Sequence, residues 1–305
     1  MAETEEKRNE NEKSRDRSQN EGCRTGFPDW IWMFAELGGY RELLWQMLIR
    51  DLKLRYKQAI MGFFWAIFVP MMVVVSGSVL KYVMATVSGQ PLEMISFTNM
   101  AVKAIGWSLF VGILNGGATS LISNINLITK IYFPREVLPI SALLTQCFDS
   151  MVGAAALLVL LIFTHSIVWS WALLWVPVLT FLLICLALGI SLFLSCSMVF
   201  YRDVKYLLSV FTSFGMFFSP VFYETNQLGG RLAELMMLNP VAPLLEGIRL
   251  SVVRGESLLR PIHDAAGTLV WHPAFLIYAV CFSIFGLIFA WRFFHVKERT
   301  YAEFI

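Results

Sequence analysis

Six long apolar segments constrain this chain more than any other feature of its sequence. A helix of about 20 apolar residues crosses the hydrocarbon core of a bilayer, and each segment except the fifth is long enough to do so alone. With 57% hydrophobic and 15% charged residues, the chain is too apolar for a water-soluble domain. The sequence therefore predicts an all-α membrane protein with six transmembrane helices. The segments cover residues 61–84, 100–122, 140–163, 171–200, 206–222 and 271–294.

An amphipathic helix is predicted directly before the first apolar segment, at residues 41–57. On a 3.6-residue period Trp45, Leu52 and Tyr56 share an apolar stripe, and charged residues occupy the opposite face. Such a helix lies at the headgroup level of a membrane, with its stripe in the acyl boundary and its basic residues in water. The residues assigned to this interface and to lipid headgroups are Arg50, Asp51, Lys53, Arg55, Tyr56 and Lys57.

Composition divides the chain into three regions. Residues 1–28 have mixed charge and few apolar side chains, which predicts a disordered tail without the apolar core of a secretory signal. Residues 29–59 combine an aromatic-rich stretch with the amphipathic helix, as expected at a headgroup boundary. Residues 60–305 form the predicted transmembrane domain.

The positions of Lys and Arg orient the predicted bundle. Twelve of them fall in residues 41–57, in the second-to-third and fourth-to-fifth connections and at the C-terminal end, against six on the other side. Cytoplasmic loops are enriched in Lys and Arg, so both termini are predicted to be cytoplasmic. The six residues assigned to the outer side are Lys81, Lys103, Arg231, Arg249, Arg254 and Arg260.

The long connection at residues 224–270 contains two apolar stretches at helical spacing that are too short to span a bilayer. Asn239, Pro240 and Pro243 are expected to break the chain between them. Two short external re-entrant helices fit this pattern, because irregular backbone at membrane depth needs a protein or water-filled cavity around it. A small external cap is the alternative.

The connection at residues 124–139 is predicted to be a short rigid element on the cytoplasmic face. Asn124 or Asn126 is expected to cap a short helix through Ile131, and Pro134 to begin the next helical turn. Two aromatic residues beside a basic and an acidic residue are expected to be exposed there, which suits a protein-binding surface. The residues assigned to this surface are Lys130, Tyr132, Phe133, Pro134, Arg135 and Glu136.

No catalytic motif is present in the sequence. It contains no GxxxxGK[ST] loop for nucleotide phosphates and no HExxH, GxSxG or DxD pattern, and its cysteines have no CxxC spacing. We therefore expect no catalytic residue, no metal site and no cofactor in this chain. Asp149 is the chief charged residue within a span, where lining of a polar path and helix packing with Gln146 are both open.

Four segments, in this order, resemble the transmembrane subunit of the ABC-2 type polysaccharide exporters, which move O-antigen, teichoic acid or capsule chains on a lipid carrier. They are LIRDLKLRYKQAIMGFFWAIFVP, NLITKIYFPREVLPISALL, VFYRDVKYLLSVFTSFGMFFSPVFY and LNPVAPLLEGIRLSV. The resemblance covers residue 41 through the sixth apolar segment. The N-terminal tail lies outside it.

The resemblance implies a homodimer of six-span subunits in the inner membrane of a bacterium. A separate ABC ATPase would bind ATP and magnesium, and the other expected partners are membrane lipids and a lipid-linked polysaccharide, with no nucleic acid. The loop at 124–139 would be the coupling element that seats on the ATPase. The short helices within 224–270 would form an external gate, for which Leu245 and Ile248 are the candidate residues.

The mechanism that follows is ATP-driven export through a channel at the dimer interface. Basic residues near the cytoplasmic mouth are candidates to attract the anionic headgroup, although Arg55 is also placed to pair with Asp51. The alternatives are an ABC-2 exporter of a drug or small lipid, a secondary transporter independent of ATP, and a membrane glycosyltransferase. Aromatic side chains suit contacts with sugar faces but are also common packing residues. The candidate channel-lining residues are Trp65, Trp107, Asp149, Phe214 and Phe218.

Overall fold

The computed structural model describes residues 39–57, 64–88, 94–130, 133–163, 165–224, 230–263 and 269–304. The chain divides into two units, Met1–Trp45 and Gln46–Ile305, and the contacts reported below lie within the second. The predicted tail at 1–28 and the aromatic stretch up to residue 38 lie outside the described residues.

Helices account for most of the described chain, as the hydrophobic periodicity predicts. The helices are α1 (Arg41–Tyr56), α2 (Phe64–Ser88), α3 (Met94–Ser123), α4 (Ile125–Ile128), α5 (Val137–Phe163), α6 (Trp175–Phe200), α7 (Val204–Phe214), α8 (Gly230–Met237), α9 (Val241–Arg249) and α10 (Pro273–Phe304). A 3₁₀ turn, Trp171–Leu174, precedes α6, a π-helical turn, Leu250–Arg254, follows α9, and a small hairpin pairs β1 (Ile262–His263) with β2 (Leu269–Trp271).

The centre of the bundle is formed by α3 and α6. α6 packs against α10 and α3, and α3 also packs against α5. Glycines permit the close approaches: a Cβ at Gly106 of α3 would lie 2.5 Å from the side chain of Leu245 of α9, and a Cβ at Gly189 of α6 would lie 3.0 Å from the backbone of Leu287 of α10. α2 lies at the periphery with a mostly exposed apolar surface.

The bundle has two distinct ends. At the first, which we call the α1 end, Arg50 of α1 donates to the Asn124 side chain directly after α3 (3.0 Å). At the other, the α9 end, the Ser170 hydroxyl before α6 donates to the carbonyl of Gly255 after the π-helical turn (3.1 Å). The α1 end thus corresponds to the predicted cytoplasmic side and the α9 end to the predicted external side.

The fifth apolar segment differs from its prediction. Within the described residues five helices are long and apolar enough to cross a bilayer, namely α2, α3, α5, α10 and α6 with its 3₁₀ turn, whereas α7 has only 11 residues. Turns follow from Gly215 to Val221, so the chain reaches Glu224 without a continuous helix. A helix of 11 residues is about 16 Å long, too short for the hydrocarbon core.

The two short helices predicted between the fifth and sixth segments are present as α8 and α9, although no membrane depth is assigned to them. Asn239 and Pro240 separate them, as expected, but Pro243 lies in the first turn of α9 and does not break the chain. The backbone N–H groups of a first helical turn have no intrahelical acceptor, so proline is tolerated there.

Candidate functional site: a cavity beside helix α1

A cavity of about 480 Å³ lies among α1, α2, α3, α5 and the α7 region. It brings together three of the five predicted channel residues, Trp65, Trp107 and Asp149, with Arg55 and Tyr56 of α1. Its volume is within the usual range for a small-ligand pocket. The cavity therefore combines aromatic surface with one charged group at the α1 end.

The two charged residues of this cavity, Arg55 of α1 and Asp149 of α5, form an ion pair. Arg55 Nη1 pairs with Asp149 Oδ2, and the Tyr56 hydroxyl donates to Asp149 Oδ1. Burial raises the pKa of the Tyr56 hydroxyl, with an opposing effect from Arg55, so the phenol stays protonated as a donor. The Asp149 side chain is 9% exposed and that of Arg55 is 49% exposed, so the carboxylate is part of the buried wall and Arg55 is the more accessible partner.

The proposed pairing of Asp51 with Arg55 is wrong. Asp51 instead accepts from its neighbour Arg50 (Nε to Oδ1, 2.9 Å), which leaves Arg55 to the less exposed Asp149. A buried carboxylate loses more by being unpaired than a partly exposed one does. Asp149 therefore joins α5 to α1 and also lines the cavity.

Two backbone features shape the cavity wall. Gly215 admits the indole of Trp107, because a Cβ there would lie 3.1 Å from the ring. Pro70 lies inside α2, where it cannot donate to the carbonyl of Ala66 four residues earlier. Gly153 of α5 approaches that carbonyl, and a Cβ at Gly153 would lie 3.1 Å from the oxygen. The two glycines thus allow close packing at the cavity wall, against the indole of Trp107 and against the backbone of α2.

The other two predicted channel residues lie outside the cavity. Phe214 is 59% exposed and Phe218 is 71% exposed on the surface of the α7 region. The neighbouring Thr212 and Ser213 line the cavity instead. Helical geometry separates these faces, because side chains one or two residues apart point in different directions.

A second, polar cavity of about 590 Å³ lies next to the first at the α1 end. Arg50 and Arg55 line it together with hydroxyl and amide side chains of α3 and α5, among them Ser120, Ser141 and Thr145. Lys53 and Lys57 lie on the exposed face of α1 and line a shallow groove. The predicted basic residues are thus divided between the polar cavity and the surface.

Comparisons with known proteins identify the family of the chain. The model of the ABC-2 type transporter family matches residues 42–253, which is more than half of the chain. The chain belongs to the ABC-2 type transporter family. The O-antigen export system permease protein RfbA of Myxococcus xanthus is 28% identical over 220 residues, covering 70% of this chain and 82% of the relative. The corresponding protein of Klebsiella pneumoniae is 23% identical with the same coverage.

As an ABC-2 type transporter with several membrane-length apolar helices, the chain is a multi-pass membrane protein. The resemblance found in the sequence is thereby confirmed at the level of the family. The matched residues run from α1 to the π-helical turn, so they include the cavity, the loop after α3 and the two short helices α8 and α9.

The loop after α3 differs in detail from its prediction. The short helix α4 ends at Ile128, and Asn124 precedes it without a side-chain capping bond, because its side chain accepts from Arg50 and donates to the Ser120 carbonyl. Pro134 begins the turn into α5, with the Val137 N–H donating to its carbonyl (3.2 Å). Ile131 lies outside the described residues.

The predicted exposure of this loop is only partly right. Lys130 is exposed and Pro134 and Arg135 are half-buried, but Phe133 is 6% exposed and packs inside the chain. Glu136 is also buried, with Oε1 lying 3.2 Å from His295 Nδ1 of α10. Burying a large aromatic ring stabilises the loop against the bundle, and the contact of Glu136 with His295 ties the start of α5 to α10. Tyr132 lies outside the described residues.

The predicted gate residues are buried. Leu245 is 0% exposed and Ile248 is 7% exposed, because α9 packs against α6, α3 and α10. In this state α9 is part of the core.

Two residues that the charge distribution assigned to the outer side are buried within helices. Lys103 lies in α3 and Arg249 at the end of α9, each at most 1% exposed and each paired with Glu246. The sequence contained two indications of this cluster. Lys103 is a charge within an apolar segment and so requires a partner, and Glu246 and Arg249 are three residues apart on one predicted helix. Sequence reasoning missed this cluster.

Proposed function

We propose that this chain is the permease subunit of an ATP-driven exporter of a lipid-linked polysaccharide in the inner membrane of a bacterium. The likeness to O-antigen export permeases over 70% of the chain carries this proposal. The functional unit is a homodimer of six-span subunits, in which the short helix α7 and the turns after it together make the fifth crossing, so that both termini are cytoplasmic. A separate ABC ATPase binds ATP and magnesium, so this chain supplies the path and not the hydrolysis.

The cavity beside α1 supports this cargo. Arg55 is half exposed, which leaves it accessible to the phosphate of a lipid carrier, and Trp65 and Trp107 offer apolar faces to sugar rings. Because the lining is mainly aromatic and aliphatic, it accommodates different glycans without reading one sugar sequence. The exposed Phe214 and Phe218 fit a surface that a second copy of the chain covers.

The loop after α3 is the proposed seat of the ATPase, with a revised contact surface. Phe133 and Glu136 anchor the loop to the bundle, so the groups available to a partner are on α4 and the turn after it, including Ile125 and Lys130. Arg50 connects this loop to α1 through Asn124. The anchored loop is expected to move with α3 and α5 as one body.

Transport into inverted membrane vesicles tests the proposed function. Vesicles containing this chain and its ATPase should take up the host's lipid-linked glycan with ATP but not with a non-hydrolysable analogue. Deleting the chain should leave the glycan on the cytoplasmic side of the membrane. Uptake without ATP would instead indicate a secondary transporter.

Export of a drug or small lipid is the second candidate. A cavity of about 530 Å³ with an almost entirely apolar lining lies among α3, α5 and α6, and such a lining suits an acyl chain better than a glycan. Under this alternative, deletion leaves glycan export intact and changes sensitivity to hydrophobic compounds or the distribution of a lipid between leaflets.

A further inference from the structure

A ring of buried polar side chains joins α3 to α9. Arg249 Nη2 donates to Glu246 Oε1 (2.6 Å), Arg249 Nη1 lies 3.6 Å from Glu224 Oε2, and Asn99 Nδ2 donates to Glu224 Oε1 (2.7 Å). Lys103, one turn after Asn99 on α3, closes the ring with its Nζ 3.7 Å from Glu246 Oε2. All five side chains are buried, so the ring holds two positive and two negative charges away from solvent.

The contacts of the ring have two different strengths. Asn99 binds Glu224 at 2.7 Å, and Lys103 Nζ donates to the Tyr223 carbonyl at 2.6 Å, so α3 and residues 223–224 are held together by short hydrogen bonds. The contacts that join α9 to this group, Lys103 to Glu246 and Arg249 to Glu224, are 3.7 and 3.6 Å long. Such distances exceed those of hydrogen bonds. The two longest contacts of the ring, Lys103 to Glu246 and Arg249 to Glu224, are therefore those that join α9 to α3, and we call the boundary between them the weak line.

The ring is also incompletely hydrogen-bonded. Among the described residues, Asn99 Oδ1 and Arg249 Nε are buried without a hydrogen-bond partner. Buried polar atoms without partners raise the free energy of the state that contains them. The present position of α9 therefore carries a cost that an arrangement with partners for these atoms would remove.

Separation along the weak line leaves both halves electrically neutral. The α9 half keeps Glu246 and Arg249, which are directly bonded to each other. The α3 half keeps Lys103 and Glu224, which also interact electrostatically. An uncompensated buried charge is the main cost of breaking a buried ion pair, and this division produces none.

One helix connects the ring to the other end of the bundle. α3 has 30 residues, so it is about 45 Å long, and it contains no proline. Asn99 and Lys103 lie near its first turns, and Asn124, which binds Arg50 of α1, follows its last residue. A shift of α3 at the α1 end therefore reaches the ring through a continuous helix.

We propose that Asn99 and Lys103 are positioning residues of the transport cycle and that the ring is a latch between α3 and α9. The latch opens when α3 moves and the Lys103–Glu246 and Arg249–Glu224 contacts separate, while Glu224 stays with α3. This inference rests on the proposed function, since the coupling loop after α3 supplies the movement. Release of α9 then depends on breaking the Lys103–Glu246 and Arg249–Glu224 contacts.

Cysteine labelling in the complete complex tests the latch. In the background variant the five native cysteines are replaced and Ile248→Cys is introduced on α9. A membrane-impermeant maleimide is then applied in two conditions, without nucleotide and after trapping of the complex with ATP and vanadate. Trapping should raise the labelling rate of this background at least about fivefold, the lower end of typical coupling between sites. With Lys103→Met added, the cysteine at position 248 should react fast already without nucleotide, and trapping should change its labelling rate little. With Lys103→Arg added, trapping should raise the labelling rate as it does in the background.

A matched control removes a hydrogen bond outside the ring. Tyr278→Phe deletes the bond from α10 to the Leu238 carbonyl (2.7 Å) near α9 and should leave labelling unchanged. If Lys103→Met does not accumulate, Lys103→Met/Glu246→Gln keeps the remaining charges balanced and should also label fast without nucleotide. A normal nucleotide response in either variant, or the same effect from Tyr278→Phe, overturns the latch.

Failure of the latch is distinguishable from failure of the proposed function. A background complex that exports with ATP but shows no change in labelling overturns the latch and leaves the exporter standing. Absence of ATP-dependent export overturns both.

Discussion

The two ends of the bundle hold their charged residues in different ways. At the α1 end, Arg55 pairs with Asp149 at the wall of a cavity while half of its side chain is exposed. At the α9 end, Lys103, Glu246 and Arg249 are at most 1% exposed and bind one another. A charge at a cavity can exchange its partner for a ligand, whereas a buried network fixes the position of the helices that carry it. The arrangement at the α1 end therefore suits binding of a ligand, and the arrangement at the α9 end suits fixing the position of α9 against α3.

The largest effect is expected from Arg249→Met at the α9 end. The substitution leaves Glu246 and Glu224 buried with Lys103 as their remaining nearby cation, and removing one partner of a buried pair typically costs about 3–5 kcal/mol. We expect loss of folded protein or a large fall in melting temperature in detergent. Arg202→Ala, at an exposed arginine, is the control and should change stability little. A melting temperature equal to the parent's would show that the buried network does not hold α9.

Phe133→Ala tests whether the α1 end also contains a rigid element. Because Phe133 is buried, the truncation leaves a void, and such changes typically cost about 3–5 kcal/mol in a well-packed core. We expect a lower melting temperature before any effect on the ATPase is considered. Ile125→Ala, on exposed α4, should stay within about 0.5 kcal/mol of the parent. Equal stability of the two variants would contradict the burial of Phe133 and return to the interpretation in which its exposed ring binds the ATPase.

The Arg55–Asp149 pair should show a moderate coupling. In a double-mutant cycle, Arg55→Gln and Asp149→Asn together should destabilise less than the sum of the single changes, by about 0.5–3 kcal/mol, because each single change leaves a partner unpaired. Melting temperatures of the four proteins provide the measurement. Additive effects would mean that α1 is held by packing and not by this pair.

The smallest effect on stability is expected from Lys130→Glu. Lys130 is exposed, so its reversal should change the free energy of unfolding by no more than about 0.5 kcal/mol. Association with the ATPase should nevertheless weaken, since like or mismatched charges at an interface rim slow association. Co-purification of the ATPase at two salt concentrations measures this. Unchanged association would remove the turn after α4 from the proposed contact surface.

Much of the fold could be predicted from the sequence, because it depends on local patterns. α1 was expected at 41–57 and ends at Tyr56, and α5 was expected from 140 and begins at Val137. Apolar runs and helical periodicity determine such elements almost without tertiary information. The fifth segment failed because its apolar run continues to Phe222, whereas the helix ends at Phe214 and turns follow.

The sites were less predictable, because they depend on partners far away in the chain. Arg55 and Asp149 are 94 residues apart, and the nearer Asp51 was the only partner that sequence spacing offered. Lys103 was counted among the charges of the outer side although it lies in the second apolar segment, because the charge rule orients a bundle and does not identify partners of a buried cation. The aromatic residues of the cavity were the exception, because Trp65 and Trp107 stood out by type alone.

Pro70 has a consequence for any mutational survey of the cavity. By lacking an N–H, it withholds a donor from the Ala66 carbonyl, and both residues line the cavity together with Gly153, which lets α5 approach that oxygen closely. The Ala66 carbonyl is therefore a main-chain acceptor that the residue four positions later cannot satisfy. Alanine scanning deletes side chains and leaves this oxygen in place, so a ligand hydroxyl bound there would go undetected. Pro70→Ala is the informative change, because it returns to α2 an N–H that can bind the Ala66 carbonyl.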